Sequence, residues 1–350
     1  MADCGNLFKR ALGFFDQWRE LPATNTTTAS SSWDNEQAPW TWYTYEPRCP
    51  VKDLLSAVIR GPDNSSTMPA HTHDHTHRHT HTWPLGRTLK VALVGDSLDR
   101  KIVQYICNLE DAKRHGFKET VLVHKRSQEY VCSNGRVRLV SYQLFGLVEP
   151  SQPEIAKIVE RRGPKQLTWS SEHRLTRLLQ KDVPDIHSFD AMTVHSCLWD
   201  LSQPVTTSDP LKVRYALQFA EKVRNLSFTL RDEYPTLLRY WRTCPPTNGK
   251  RYPLKAELEE DAQITRTQRS QAVLNNAIST VIVQFSQNSD TKLVSHGVMD
   301  WDHMMNGQSM MAVDGRHYPV GPALAYFNLF LNALAWDMRT GRHDRNKVNL

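Results

Sequence analysis

Apolar positions divide the chain into two unlike parts. Before Pro84 they come in short groups: aromatics at Trp40, Trp42, Tyr43 and Tyr45, then Val51 to Arg60 with helical spacing. After Pro84, β-branched runs alternate with stretches of 3.6-residue periodicity. Leu89-Lys-Val-Ala-Leu-Val94, closed by Gly95, predicts a buried strand. The next stretch, Leu98 to Leu109, carries Leu98, Ile102, Val103, Tyr105 and Ile106 at helical spacing. Further strands are expected at Thr120–His124, Val137–Phe145, Phe189–His195, Thr236–Arg242 and Lys292–His296. The alternation in Val137–Phe145 is the least clean and points to a sheet edge. Helices are expected at Glu172–Gln180, Pro210–Asp232, Leu254–Ser286 and Pro322–Trp336. Strands separated by helices of this length require βαβ crossovers and a sheet covered on both faces. The expected fold is α/β, a three-layer α/β/α sandwich with a short parallel sheet.

Polar stretches set the domain limits. Residues 21–39 are rich in Ser and Thr and read as a linker or mobile arm, so 1–39 is assigned to an N-terminal arm and 40–345 to one domain. Within that domain, 61–82 is a low-complexity insertion with His71, His73, His75, His77, His79 and His81 alternating with other residues. Imidazoles two apart chelate zinc, nickel or copper. A polar tract without hydrophobic surroundings does not preorganise a catalytic metal, so no metal site and no cofactor is expected.

Composition narrows the function classes. With 350 residues, 39% hydrophobic and 23% charged, the chain can bury a sizeable core and is not disordered as a whole. No run reaches the ~20 apolar residues of a spanning helix. The best candidate, Ala323 to Trp336, is interrupted by Asn328 and Asn332, and no transmembrane segment is expected. The net charge of +6 is scattered, without the Lys/Arg clusters that track phosphates, which argues against nucleic acid as a partner. Six cysteines without a CxxC pair fit neither a zinc ribbon nor a redox motif. Near the start, Asp16 ends the apolar run Ala11-Leu-Gly-Phe-Phe15, shorter than the ~7–15 residues of a secretory core. No signal peptide is evident, and a cytoplasmic location is the default. The oligomeric state is left open.

Two segments carry candidate chemistry. Gly95-Asp96-Ser97 lies where the first strong strand meets its helix, and ligands of open parallel sheets bind beyond such strand ends. A serine there has an exposed hydroxyl and a backbone N–H at a positive helix end, suited to a developing oxyanion. The same residues also serve as an ordinary helix cap. The second segment, Asp314-Gly315-Arg316-His317, can bring a carboxylate to an imidazole within one turn. It supplies a base and its orienter, or is simply an exposed turn.

Together these segments resemble the GDSL/SGNH hydrolases, and among them the PC-esterase family that includes the plant trichome-birefringence-like proteins and animal PC-esterase-domain proteins. Gly95-Asp-Ser-Leu-Asp-Arg100 matches GDSL-x-R, and Trp42 through Cys49 is similar to the family's approach segment. Ser196-Cys-Leu-Trp-Asp-Leu-Ser202 matches the animal members' SCLWDLS. Tyr240-Trp-Arg-Thr-Cys-Pro245 resembles their arginine strand end, and Asp314-Gly-Arg-His317 their DGxH block. The resemblance covers roughly residues 40–340. It implies Ser97 as nucleophile, His317 as base and then acid, and Asp314 as its orienter. It also implies an oxyanion hole of the serine N–H, a glycine (Gly146, with Gly135 as alternative) and an asparagine, whose position is here His195. Arg242 would face the same edge, to hold a carbohydrate oxygen or carboxylate or to form an ion pair. Cys49 and Cys107 would pair in an oxidising compartment.

The expected function is a serine esterase or O-acyltransferase acting on O-acyl, foremost O-acetyl, groups of a glycan or glycoconjugate. The alternatives are a catalytically weakened relative that binds a glycan or protein through the same cleft, and a metal-binding protein working through its histidine tract.

Overall fold

The computed structural model describes residues 51–61, 88–124, 127–144, 146–148, 186–196, 198–202, 213–248, 268–287, 295–305, 309–312 and 314–340. The expected arm at 1–39, the aromatic group at 40–45, the histidine tract, the helix at 172–180 and the part of 254–286 before residue 268 lie outside the described residues.

The first helix, α1 (Leu54–Arg60), is capped by Asp53, whose carboxylate accepts from Ser56 N, and it buries Leu54, Leu55, Val58 and Ile59. Strand β1 (Leu89–Gly95) runs directly into α2 (Ser97–Asn108), followed by the short α3 (Glu110–Arg114). Then come β2 (Lys118–His124), β3 (Ser127–Ser133), β4 (Val137–Gln143) and β5 (Ala191–Val194). The chain continues through α4 (Val213–Glu233), β6 (Leu238–Arg242), α5 (Gln268–Gln287), β7 (Gly297–Met299), α6 (Trp301–Met304) and α7 (Val320–Arg339).

These strands form one seven-stranded sheet in the order β2-β3-β4-β1-β5-β6-β7. From β4 to β7 all neighbours are parallel, whereas β2 and β3 are antiparallel additions at one edge. The sheet is therefore mixed rather than purely parallel. Strand β3 is too polar (Ser-Gln-Glu-Tyr-Val-Cys-Ser) to stand out by pattern, and pairing with β2 and β4 makes it a strand. Strand β4 is not at an edge. It lies between β3 and β1 with Val137, Leu139, Val140 and Tyr142 buried, and burial on both faces is what blurs its alternation. Of the strand expected at Lys292–His296, residues 292–294 lie outside the described residues; the described strand, Gly297–Met299, starts directly after it. Ser295 and His296 meet β6 through Arg239: Ser295 Oγ donates to Arg239 O (2.9 Å) and Arg239 N donates to His296 Nδ1 (3.0 Å).

Side chains alternate across a strand, and neighbours on β6 identify the two outer layers. The Tyr240 hydroxyl donates to Asp337 on α7 (2.8 Å), while Trp241 Nε1 donates to Ser227 on α4 (2.8 Å). Helices α7 and α4 thus cover opposite faces, α2 packing beside α7 and α5 beside α4. This is a three-layer α/β/α arrangement. In α7, Phe327, Phe330, Leu331 and Leu334 are fully buried, each worth about 1.5–3 kcal/mol relative to exposure. The asparagines that interrupt this apolar helix have a task. Asn332 accepts from Lys52 N (3.0 Å) and donates to Lys52 O (2.8 Å), and Asn328 accepts from Leu55 N (2.9 Å), tying the start of α1 to α7.

Cys107 on α2 is bonded to Cys132 on β3, so the expected Cys49–Cys107 pair gives way to a link between neighbouring layers. Cys244 is also disulfide-bonded, and there is no free cysteine among the described residues. Disulfides persist in oxidising compartments and are rare in the cytosol, which runs against the cytoplasmic default.

Candidate active site

The strand order reverses direction at β1. The chain builds β2, β3 and β4 on one side of it, then crosses to β5, β6 and β7 on the other. In open α/β sheets, the loops leaving the carboxyl ends of the strands on either side of such a reversal diverge, and ligands bind between them. Ser97 stands at this point as the first residue of α2. Asp96 caps the helix in an extended conformation, its carboxylate accepting from Leu98 N (2.9 Å).

The loop before α7 reaches the same place. Gly315 has φ 81°, a left-handed conformation that suits glycine, and the turn it makes folds the chain back over Asp314. Asp314 Oδ1 accepts from Arg316 N (3.0 Å) and His317 N (2.8 Å), and Oδ2 accepts from His317 Nδ1 at 2.6 Å. A carboxylate on Nδ1 fixes the proton there and leaves Nε2 as the acceptor. Nε2 lies 2.7 Å from Ser97 Oγ, across 220 positions of sequence. Burial pushes the Asp314 carboxyl up, but the donors from His317 and Arg316 outweigh it and hold it down at about 2. The three residues named from two distant motifs form one hydrogen-bonded chain from carboxylate to hydroxyl.

Two contacts brace the loop. Asn248 N donates to Gly315 O (2.9 Å), and the Tyr318 hydroxyl donates to Pro246 O (2.6 Å). Tyr105, on the same helix as Ser97, donates to Tyr318 O (3.1 Å).

Gly146 lies just beyond the carboxyl end of β4, next to β1. Gly135 precedes β4 at the opposite end, because β1 and β4 are parallel with Leu89 opposite Val137 and Gly95 opposite Gln143. Of the two expected glycines, only Gly146 is on the Ser97 side. The 146–148 segment wraps Asp200, whose buried carboxylate accepts from Leu147 N (3.0 Å), Val148 N (3.0 Å), the Tyr215 hydroxyl (3.1 Å) and the Ser196 hydroxyl. Burial raises the Asp200 carboxyl and these donors only partly oppose it. The Ser196-to-Ser202 motif is thus a clamp on the loop bearing Gly146, a task the sequence did not reveal beyond a turn cap.

The remaining expected site residues lie deeper. His195 is expected to donate to a substrate oxygen. Instead it is fully buried, with Nδ1 3.3 Å from Arg242 O, and Nε2 lies 3.3 Å from Asp96 Oδ2 without the geometry of a hydrogen bond. Arg242 is also fully buried, and of its two expected destinations it takes the ion pair: Nη2 is 2.6 Å from Asp99 Oδ2. Burial pushes the Asp99 carboxyl up against the pull of Arg242. For Asp96 burial also raises, but His195 and Arg242 prevail and hold it well below the usual carboxylate range. Asp99 escaped the sequence reading because an acidic residue in a first helical turn is commonplace. Asp96, Asp99 and His195 form a cluster of metal-ligating types, and the positive charge facing Asp99 there is the Arg242 guanidinium.

No family model matches the chain, and no curated protein matches it. Among solved structures it is similar to a lipase/acylhydrolase from Enterococcus faecalis, at 15% identity and a TM-score of 0.38 over 73% of this chain and 97% of that one. It is similar to a putative GDSL-like lipase from Parabacteroides merdae at 9% identity and a TM-score of 0.37, again over 73% and 97%. A peptidoglycan O-acetylesterase follows at 11% identity and 0.27, over 75% of this chain and 93% of that one.

Proposed function

We propose that the protein is a serine esterase or O-acyltransferase of the SGNH type, acting on O-acyl, foremost O-acetyl, groups of a carbohydrate or glycoconjugate. The observation that carries this reading is the pair of short hydrogen bonds from Asp314 through His317 to Ser97 Oγ, 2.6 and 2.7 Å long. The glycan ester as substrate class is supported by the likeness of the Gly95–Arg100, Ser196–Ser202 and Asp314–His317 segments to PC-esterase motifs.

Ser97 Oγ attacks the ester carbonyl as its proton passes to His317 Nε2, and Asp314 stabilises the imidazolium that forms. The oxyanion is received at the N-terminus of α2 by the Ser97 N–H, with the Gly146 segment alongside. One such donor is typically worth ~100–1000-fold in rate. His317 returns the proton to the departing alcohol oxygen, leaving an acyl-serine. Water, deprotonated by the same imidazole, releases the free acid and restores Ser97; a sugar hydroxyl in its place accepts the acyl group.

The test is acetate release from acetylated sugars and p-nitrophenyl acetate, with fluorophosphonate labelling in parallel. Wild type should react, while Ser97→Ala is unlabelled and Ser97→Ala and His317→Ala each lose at least ~1000-fold in kcat. Equal rates in all three proteins overturn the proposal.

A further inference from the structure

We propose that Arg242 and Asp99 are positioning residues, a buried ion pair that fixes the nucleophile-bearing helix against the loop carrying the base. This rests on Ser97 as the nucleophile and concerns what holds it in place. Neither residue touches substrate, since both side chains are fully buried.

Asp99 lies two residues after Ser97, in the first turn of α2, so its carboxylate and the nucleophile move as one body. Arg242 is the last residue of β6 and leads directly into the 243–248 segment that braces the base loop through Asn248 and Pro246. Its guanidinium lies over Trp301 (4.7 Å) and Tyr326 (5.6 Å). Those two rings stack at 4.5 Å, and Trp301 lies 6.0 Å from Tyr318, the residue after His317. One guanidinium thereby joins the nucleophile's helix, the strand below the base loop and the aromatic layer behind it. Gly95 leaves the room: a Cβ there would stand 1.9 Å from Asp99 Oδ2.

Energetics favour a positional role. Desolvating two charges is costly, and an apolar pair of similar volume is often at least as stable, so stability alone is a weak reason for such a pair. The single charge-assisted bond from Arg242 Nη2 to Asp99 Oδ2 does offer direction, which an apolar contact lacks. The Ser97–His317 contact spans 220 positions, and a misplacement of roughly 1 Å at a reacting centre costs on the order of 100-fold.

The experiment compares wild type, Arg242→Met, Arg242→Lys, Asp99→Asn and the double variant Asp99→Asn/Arg242→Met. It reads the rate constant and endpoint of fluorophosphonate labelling, and kcat and KM for p-nitrophenyl acetate. Arg242→Met and Asp99→Asn should label to the full endpoint about 100-fold more slowly, with kcat reduced alike and KM unchanged. Arg242→Lys should recover about tenfold of that loss, and the double variant should be no slower than the worse single one, as for residues acting as a unit. A merely structural role lowers the endpoint, the fraction of folded enzyme, and leaves the rate per labelled site unchanged; that result overturns the proposal. Should Arg242→Met not fold, Asp99→Asn and Arg242→Lys decide it, and wild-type labelling rates in both overturn it. A wild type that neither labels nor turns over defeats the esterase reading itself, and this one with it.

Discussion

At the scale of single residues, the site depends on which hydrogen-bond acceptors are left over. Asp314 spends one oxygen on two backbone amides and the other on His317, so the carboxylate is already oriented when the imidazole meets it. The sign of its pH effect follows. Its folded value, about 2, lies below the ordinary 3.8 of an aspartate, so its contribution to stability is complete above the unfolded value and is lost as pH falls through the folded one. Urea unfolding of wild type and Asp314→Asn should give a stability difference that is constant from neutral pH down to about 4 and shrinks between about 4 and 2. A difference that vanishes already near neutrality rules out the carboxylate as the charged partner. His195 teaches the complementary lesson. A histidine at the end of β5 has an N–H to offer an oxyanion, but here the ring is fully buried between the Asp96 carboxylate and the Arg242 carbonyl.

At the scale of elements, the loops that follow β4 and β5 act as one piece because Asp200 collects donors from both. Asp200→Ala leaves two backbone amides and the Ser196 hydroxyl without their acceptor in the interior, while the Tyr215 hydroxyl keeps Asp200 O (3.1 Å), at a cost on the order of 1–3 kcal/mol for each group that finds no substitute. The expected result is lower stability to urea and faster hydrogen exchange at the Leu147 and Val148 amides. Unchanged exchange at both amides would remove the clamp from the account. The legibility of elements in the sequence followed their burial. Strand β1 and helices α1, α2 and α7 carry strong periodicity and stand close to where the pattern put them. Strand β3 was invisible because its partners, not its own side chains, make it a strand. The central position of β4 was misjudged because full burial and poor alternation look alike along one strand.

At the scale of the whole molecule, cross-links between layers hold the site together. The Cys107–Cys132 disulfide, closing 25 positions of sequence, ties the helix that begins at Ser97 to the sheet and should contribute about 2–4 kcal/mol. In urea without reductant both thiols should resist alkylation, and reductant should expose them while lowering the melting temperature. Alkylation without reductant would show the bond to be absent. What the sequence determined by itself was local: the strand-to-helix turn at Ser97, the Asp-x-x-His turn, the layered α/β class and the apolar faces of its helices, each set by neighbours within a few positions. The choice of Gly146 over Gly135, the ion pair of Arg242, the burial of His195 and the partner of Cys107 were decided only by tertiary structure. Each depends on which strands lie side by side and which way they run, and strand order is fixed by packing between residues tens to hundreds of positions apart.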